Sequence, residues 1–433
     1  MEYFKIEGDY LMSAFDRIIG YEAVKKELYQ IIDMLKNKEL YEKMGAKFPK
    51  GVLIYGAPGL GKTMLAEALI DESKIKSYVL KKNKPDEELI KEINNVFEEA
   101  TKQSASIILI DDIDKFSSKD EKDCDDDVFV TLQSGIDSVR SSNVLVVATA
   151  NNIGKLPISL KRSGRFDRKI EMTIPSDEDA RKIIEYYLKT KCVNENLNYE
   201  DVAKMISYTS CADLETLLNE AAINATYLRK DSIDIDDIVK AYLRSVYKIA
   251  DEVYNCTKEE IESVSLHEAG HAVIAEVLQP GSVGLISFKN NNSSLQGFTR
   301  MCKELKRRPE NIVTALGGKV AVEQFYQGRC GSGCQSDINT ALMLLYSGID
   351  GSGTCGLGFI SVEGVNRSEM LTSKTEAAVH AELERYMFVA RDILLKNKDF
   401  LMQLAEKLRE KKTLLYSDIQ NIKKNVQITT VEV

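Results

Sequence analysis

Over the first third of the 433-residue chain, short apolar runs alternate with stretches of helical period. Val52-Leu-Ile-Tyr55, Ile107-Ile-Leu-Ile110 and Val144-Leu-Val-Val147 read as strands, each followed by small, polar or acidic residues. Lys62–Ser73 and Glu88–Lys102, lying between them, read as helices. Strand, helix, strand in this order predicts a parallel sheet covered by helices on both faces, with chemistry at the carboxyl ends of the strands. From about Pro175 the strand runs stop. Asp177–Lys189, Ala212–Arg229 and Ile235–Ile249 read as helices, with Asp213 as N-cap of the second and an Asp-Ile-Asp-Asp run opening the third. Beyond Asp251–Thr257 a further, mainly α-helical region is expected. It has Gly/Ser/Asn-rich insertions at Gly281–Ser294 and Gly328–Gly333, and a closing pair of charged amphipathic helices over Thr372–Asn425. The pattern therefore predicts an α/β module over 1–170, a small helical segment over 171–250 and a mainly α-helical domain over 251–433.

Composition narrows the function classes. Hydrophobic residues make up 44% and charged residues 29%, values typical of a globular chain. A net charge of −9 argues against a general nucleic-acid binder. Apolar runs such as Val144–Ala150 fall far short of the ~20 residues needed to span a bilayer, so no membrane span is expected. The opening Met1-Glu-Tyr-Phe-Lys has no apolar core, unlike a secretory signal, and eight thinly spread cysteines read as reduced thiols in a cytoplasmic protein. The acidic stretch Asp120–Asp127 lacks the pattern of a calcium loop and reads as a solvated loop.

Two motifs carry chemistry. Gly56-Ala57-Pro58-Gly59-Leu60-Gly61-Lys62-Thr63, followed by Met64, stands between a predicted strand and a predicted helix and fits G-x-x-x-x-G-K-[ST]. Backbone N–H groups and a helix N-terminus can cradle phosphates there, Lys62 can reach the outer phosphates, and Thr63 can offer a hydroxyl to Mg²⁺. ATP with Mg²⁺ is the expected ligand. Asp111 and Asp112, at the end of an apolar strand, can place carboxylates beside the metal, and Asn151 can orient the attacking water. Arg165 and Arg168 suit stabilisation of the γ-phosphate.

The second motif is His267-Glu268-Ala-Gly-His271, which fits H-E-x-x-H. On a helix the spacing puts both imidazoles on one face, where they can share Zn²⁺, with Glu268 placed as the base for a zinc-bound water. The chain has only three histidines, and two of them stand at ligand spacing. The third ligand must come from elsewhere. His380 lies in the charged tail and reads as a surface residue, and Val277 stands where a metzincin has its third histidine.

These motifs resemble the AAA+ ATPases and, among them, the FtsH-type zinc metalloproteases, over nearly the whole chain. Phe15-Asp-Arg-Ile-Ile19-Gly20 looks like the segment that lies over the adenine, which implicates Ile19 and Gly20. Ser163-Gly-Arg-Phe-Asp-Arg168 resembles the family's second region of homology, and Ala212–Ala222 resembles a helix of its lid. The resemblance implies an ATP-dependent zinc metalloendopeptidase acting on polypeptides, assembled as a homo-oligomeric ring, usually a hexamer, in which Arg165 and Arg168 reach the neighbouring nucleotide. It selects Asp337, in Gly331-Ser-Gly-Cys-Gln-Ser-Asp337, as third zinc ligand at a helix start, where Asp337 can also serve as N-cap, and Glu323 as a supporting group. The alternative is an ATP-driven remodelling ring with an idle or regulatory peptidase domain.

The sequence departs from the family pattern in three places. The family normally carries N-terminal transmembrane helices, whereas this sequence begins shortly before the ATPase segment, so a soluble member or a cytosolic fragment is expected. Asp112 stands where the family has Glu, which predicts slower hydrolysis. Lys81–Glu88 stands where the family has an aromatic-hydrophobic-Gly pore loop and carries no aromatic, with Tyr78 the nearest. Weak unfolding and a preference for loosely folded substrates are expected. Cys330 and Cys334, spaced C-x-x-x-C, read as two thiols in a loop.

Overall fold

The computed structural model describes residues 13–46, 48–116, 127–162, 164–207, 209–248, 256–291, 294–303, 308–326, 333–352 and 369–431. Cys330 and residues 120–126 of the acidic stretch lie outside them. The chain forms two compact units. The first comprises residues 1–187 and 208–216, the second residues 188–207 and 217–433.

The first unit is built on five parallel strands: β1 (Gly51–Tyr55), β2 (Lys76–Lys81), β3 (Ser106–Asp111), β4 (Val144–Ala150) and β5 (Arg168–Glu171), in the spatial order β2-β3-β4-β1-β5. The apolar runs had pointed to β1, β3 and β4, and these are the three inner strands. Both edges escaped the pattern. β2 begins and ends in lysine and β5 reads Arg-Lys-Ile-Glu, because an edge strand half exposed to solvent needs no continuous apolar run.

Alternation along the inner strands divides the core. Leu53, Ile108, Ile110, Val146 and Ala148 face one side and pack with α4 (Asp86–Thr101) and α5 (Asp127–Ser138). Val52, Ile54, Ile107, Leu109 and Val147 face the other and pack with α1 (Glu22–Lys36) and α3 (Lys62–Ser73). A short α2 (Lys38–Lys43) follows α1. α6 (Asp177–Leu188) begins where the sequence predicts it.

The second unit holds α7 (Tyr199–Met205), most of α8 (Cys211–Tyr227), and α9 (Ile235–Tyr247). Asp234 and Asp237 form a capping box at the start of α9, as the acidic run predicts. For α8 the cap is Ser210, whose Oγ accepts from Asp213 N at 3.2 Å. Asp213 is the third helical residue, so its expected N-cap role belongs to Ser210.

The remaining helices are α10 (Lys258–Leu278), α11 (Arg308–Phe325), α12 (Gly333–Ser352), α13 (Glu369–Lys396), α14 (Lys398–Lys411) and α15 (Tyr416–Lys424). They enclose a core of Ile274, Leu316, Leu345, Ile393 and Leu404 among others. Thr257 and Glu260 close a capping box at the start of α10. The tail is three helices and a strand, β8 (Thr413–Leu415), where two helices are expected from sequence.

The insertion Gly281–Ser294 is largely ordered strand. β6 (Val283–Asn291) pairs antiparallel with β7 (Ser294–Met301) and with β8, in the order β7-β6-β8. Val283, Leu285 and Ile286 are buried, so the polar residues around them hid a strand whose apolar side chains fill the core. Among the described residues no helix is long and apolar enough to cross a membrane.

Candidate active site

The phosphate loop lies between β1 and α3. Gly59 and Gly61 hold left-handed backbone, with φ of +78° and +87°, which turns the chain sharply into the helix. Lys62 is buried at the start of α3, and its Nζ donates to a neutral partner, the Ala57 carbonyl, at 2.7 Å. Burial lowers its proton affinity, against the pull of Asp112, Asp114 and Asp111. A buried ammonium hydrogen-bonded to a carbonyl is a ready partner for phosphate, so these residues fit ATP.

Asp111, at the end of β3, accepts from Thr63 Oγ1 and from Thr149 Oγ1, each at 2.8 Å. Lys81 Nζ lies 3.0 Å from its other oxygen. Burial raises the Asp111 carboxyl, but these donors outweigh it and hold the group below its ordinary value. Asp112 adopts a left-handed φ of +53°, takes Asn151 Nδ2 at 3.0 Å and pairs with Lys115 at 2.6 Å. Thr149 and Asp114, which accepts from the backbone of Asn151 and Asn152, support this corner and carry no motif of their own. At the far side of the loop, Gly59 approaches Ser210, and Gly20 lies against Asp179. Ile19 precedes Gly20 just before α1, and Met64 lies partly exposed in the first turn of α3.

The arginines differ from each other. Arg165 is fastened within its own chain by Asp137, at 2.7 and 3.1 Å, and by Gln133 Oε1 and the Ser159 carbonyl. Arg168 opens β5, half exposed, 3.5 Å from Glu27. The Lys81–Glu88 stretch is not a long loop. Lys81 ends β2 against Asp111, Lys82 pairs with Asp86, and α4 starts at Asp86. Tyr78 is a β2 residue whose hydroxyl donates to the Glu99 carbonyl at 3.3 Å.

The metal motif lies in the middle of α10, which is buried on most sides. His267 Nε2 and His271 Nε2 are 3.1 Å apart, and Asp337 Oδ2 lies 3.0 and 3.4 Å from them. Asp337 sits one turn inside α12, not at its N-cap, and this depth points its carboxylate at the two rings. Ligands about 2.0–2.1 Å from a tetrahedral zinc stand roughly 3.3 Å apart, so the spacing fits that ion. His271 Nδ1 donates to the Thr314 carbonyl at 2.7 Å, which in the neutral ring leaves the lone pair on Nε2. Asp337 Oδ2 is buried, facing the ring nitrogens and otherwise without a hydrogen-bond donor among the described residues. Three electron-rich atoms converging on one point require a positive charge.

Close packing puts them there. At the crossing of α10 and α11, a Cβ on Gly270 would lie 2.5 Å from the Gly317 carbonyl. One on Gly318 would lie 2.4 Å from His271 Nε2 and 2.6 Å from His267 Nε2. Thr314 and Gly318 are therefore α11 residues that shape the candidate metal site. Glu323, expected as a support, instead pairs with Lys319 and lies 3.9 Å from Arg391. Cys334 is buried with its Sγ 3.8 Å from His267 Nδ1.

Glu268 is buried beside the rings and takes a hydrogen bond from Thr299 Oγ1 at 2.8 Å. Burial pushes its carboxyl up, against the opposing pull of His271 and His267. Glu268, the ligand cluster, Thr299 and Gln296 of β7 line a cavity of about 900 Å³. Neither Thr299 nor Gly318 belongs to a motif that sequence spacing can reveal.

Without metal, burial works against a charged His271, yet Asp337 and Glu268 together push its pKa up to about 9. Zinc must displace that proton. Affinity is therefore expected to rise with pH up to that value, about tenfold per unit for one proton released. Asp337→Ala should abolish stoichiometric zinc, whereas His380→Ala, on the exposed face of α13, should retain it. Metal analysis after dialysis across pH 6 to 9 makes the measurement, and affinity that does not rise with pH, or zinc retained by Asp337→Ala, would decide against this ligand set.

Residues 52–174 match the model of the ATPase family associated with various cellular activities (AAA), and residues 254–422 match peptidase family M41. The chain is 29% identical to the ATP-dependent zinc metalloprotease FtsH 2 of Thermoanaerobacter sp. (strain X514), covering 94% of this chain and 82% of that one. It is 27% identical to the FtsH protease of Mycoplasma mobile, over 98% of this chain and 65% of the relative. Against the chloroplastic FTSH 9 of Arabidopsis thaliana the identity is 28%, over 96% and 57%. With an AAA module followed by an M41 module, and relatives aligned through both, the chain belongs to the FtsH family of ATP-dependent zinc metalloproteases.

Proposed function

We propose that the chain is an ATP-dependent zinc metalloendopeptidase, with an AAA module over 1–170, a helical lid over 171–250 and a peptidase domain over 251–433. The observation that carries this is the convergence of His267, His271 and Asp337 beside buried Glu268, in a chain with an intact phosphate loop.

The metal held by these three residues would supply Lewis acidity, activating water near neutral pH and polarising the peptide carbonyl. Glu268 takes a proton from the attacking water and returns it to the departing amide nitrogen. Among the described residues β7 is an edge strand, and its residues line the cavity, so an extended peptide can pair along it and bring its carbonyl to Glu268. In the ATPase, Thr63 and Asp111 would hold Mg²⁺, which would supply positive charge against the outer phosphates. Lys62 binds those phosphates, and Asp112 with Asn151 orients the water.

The reading extends to a cytoplasmic homo-oligomeric ring, a hexamer, in which Arg168 and Arg165 serve the neighbouring nucleotide. Arg165 would first have to release Asp137. The tied Lys81–Glu88 connection offers no aromatic grip, so loosely folded polypeptides are the expected substrates.

Casein digestion should require zinc, stop with a chelator, resume when Zn²⁺ is returned, and slow without ATP. ATP turnover with no cleavage by the zinc-loaded protein would instead favour a remodelling ring with an idle peptidase.

A further inference from the structure

Strand β7 presents different chemistry on its two faces. Gly297 and Thr299 lie against Glu268. A Cβ built on Gly297 would fall 2.3 Å from Glu268 Cγ and 2.6 Å from its Oε1, so the strand backbone runs flush against this side chain. Two residues on, Thr299 Oγ1 lies 2.8 Å from Glu268 Oε2 and 3.1 Å from the Glu268 carbonyl oxygen. The alternate residues are fastened elsewhere. Phe298 stacks on Tyr247 with ring centroids 3.8 Å apart, and Arg300 Nη2 donates to the Ser207 carbonyl at 2.8 Å. The strand is thus clamped on one face while the other meets the base.

We propose that Thr299 is a positioning residue for peptide hydrolysis: its hydroxyl anchors Oε2 of Glu268 and reserves Oε1 for the attacking water. This rests on Glu268 being the base. A hydroxyl has one proton, and the shorter, charge-assisted bond to the carboxylate takes it. The terminal torsion of Glu is broad, so an unanchored carboxylate samples orientations that miss the water. Thr is stiff at χ1 because of its β-branch, so a hydroxyl on a clamped strand is a fixed point. Anchoring one oxygen leaves the other with a single direction, and a misplacement of ~1 Å at a reacting centre can cost ~100-fold in rate.

Thr299→Val keeps the volume and the β-branch but removes the donor. On a fluorogenic peptide, kcat is expected to fall about 10- to 100-fold, as for other residues that orient catalytic groups. KM should change by less than about twofold, and zinc affinity, read by competition with a chromophoric chelator, by less than about threefold, since Thr299 touches no ligand. Thr299→Ser restores the hydroxyl and should recover most of kcat. If the valine variant does not fold, as judged by circular dichroism, Thr299→Ala against Thr299→Ser makes the same comparison. Parent-level kcat without the hydroxyl, a fall in zinc affinity that tracks the fall in kcat, or a serine variant as slow as valine would each overturn the assignment. A parent protein that carries zinc and cleaves no peptide would instead overturn the peptidase reading itself.

Discussion

Glu268→Gln should bind zinc as the parent does, turn over ATP at the parent rate and lose peptide cleavage by roughly 10²–10⁴-fold, the usual contribution of a positioned general base. The amide has nearly the shape of the carboxylate and can still accept from Thr299 at the Oε2 position, 2.8 Å from that hydroxyl. The three atoms that converge on the metal point, on His267, His271 and Asp337, are untouched by the change. What disappears is the ability to take a proton. The native carboxylate is buried and its pKa is pushed up by that burial, against the histidines, so it is a stronger base than an exposed glutamate. The amide has no counterpart to that basicity. Fluorogenic peptide hydrolysis, metal content and ATPase rate on one preparation make the measurement. Cleavage above about a tenth of the parent rate would remove Glu268 from the base role.

Lys62→Ala should cost nucleotide affinity about 10- to 100-fold and leave no measurable ATP turnover. A hydrogen bond to a charged group contributes about 1.5–3 kcal/mol, and each 1.4 kcal/mol is tenfold in affinity. Lys62 belongs at the upper part of that range because it is already desolvated, held by one carbonyl at 2.7 Å. Thr63, Asp111 and Thr149 keep their own hydrogen bonds in the variant, so the loop and the end of β3 should stay in place. Titration with a fluorescent ATP analogue, with Mg²⁺ present, reads the effect. Binding within about threefold of the parent would mean that the phosphates are held elsewhere.

Where a motif is local, its chemistry was legible before any folding. His267 and His271 share a face because a helix repeats every 3.6 residues, and the phosphate loop closes because glycine tolerates left-handed backbone. The inner strands β1, β3 and β4 announced themselves because both their faces are buried and their sequences are nearly all apolar. The edges β2 and β5 did not, since an exposed edge admits lysine, arginine and glutamate and erases the run, and in the β6–β7 pair serine, lysine and asparagine interrupt the apolar positions of the sequence. Asp337 needed the family resemblance to be singled out, and its depth in α12 contradicts a simple capping role.

The sequence by itself determined where the two candidate chemistries lie, a phosphate loop at Gly56–Thr63 and two histidines beside a glutamate at His267–His271, because each is written within one turn or loop. Only the tertiary structure decided what completes them. Thr149 joins Asp111 across neighbouring strands, Thr314 and Gly318 meet the imidazoles across a helix crossing, and Thr299 reaches Glu268 from a sheet edge. Such partners lie far apart along the chain, and no periodicity records them. They are fixed when packed elements leave one hydroxyl, one carbonyl or one missing side chain at the needed point.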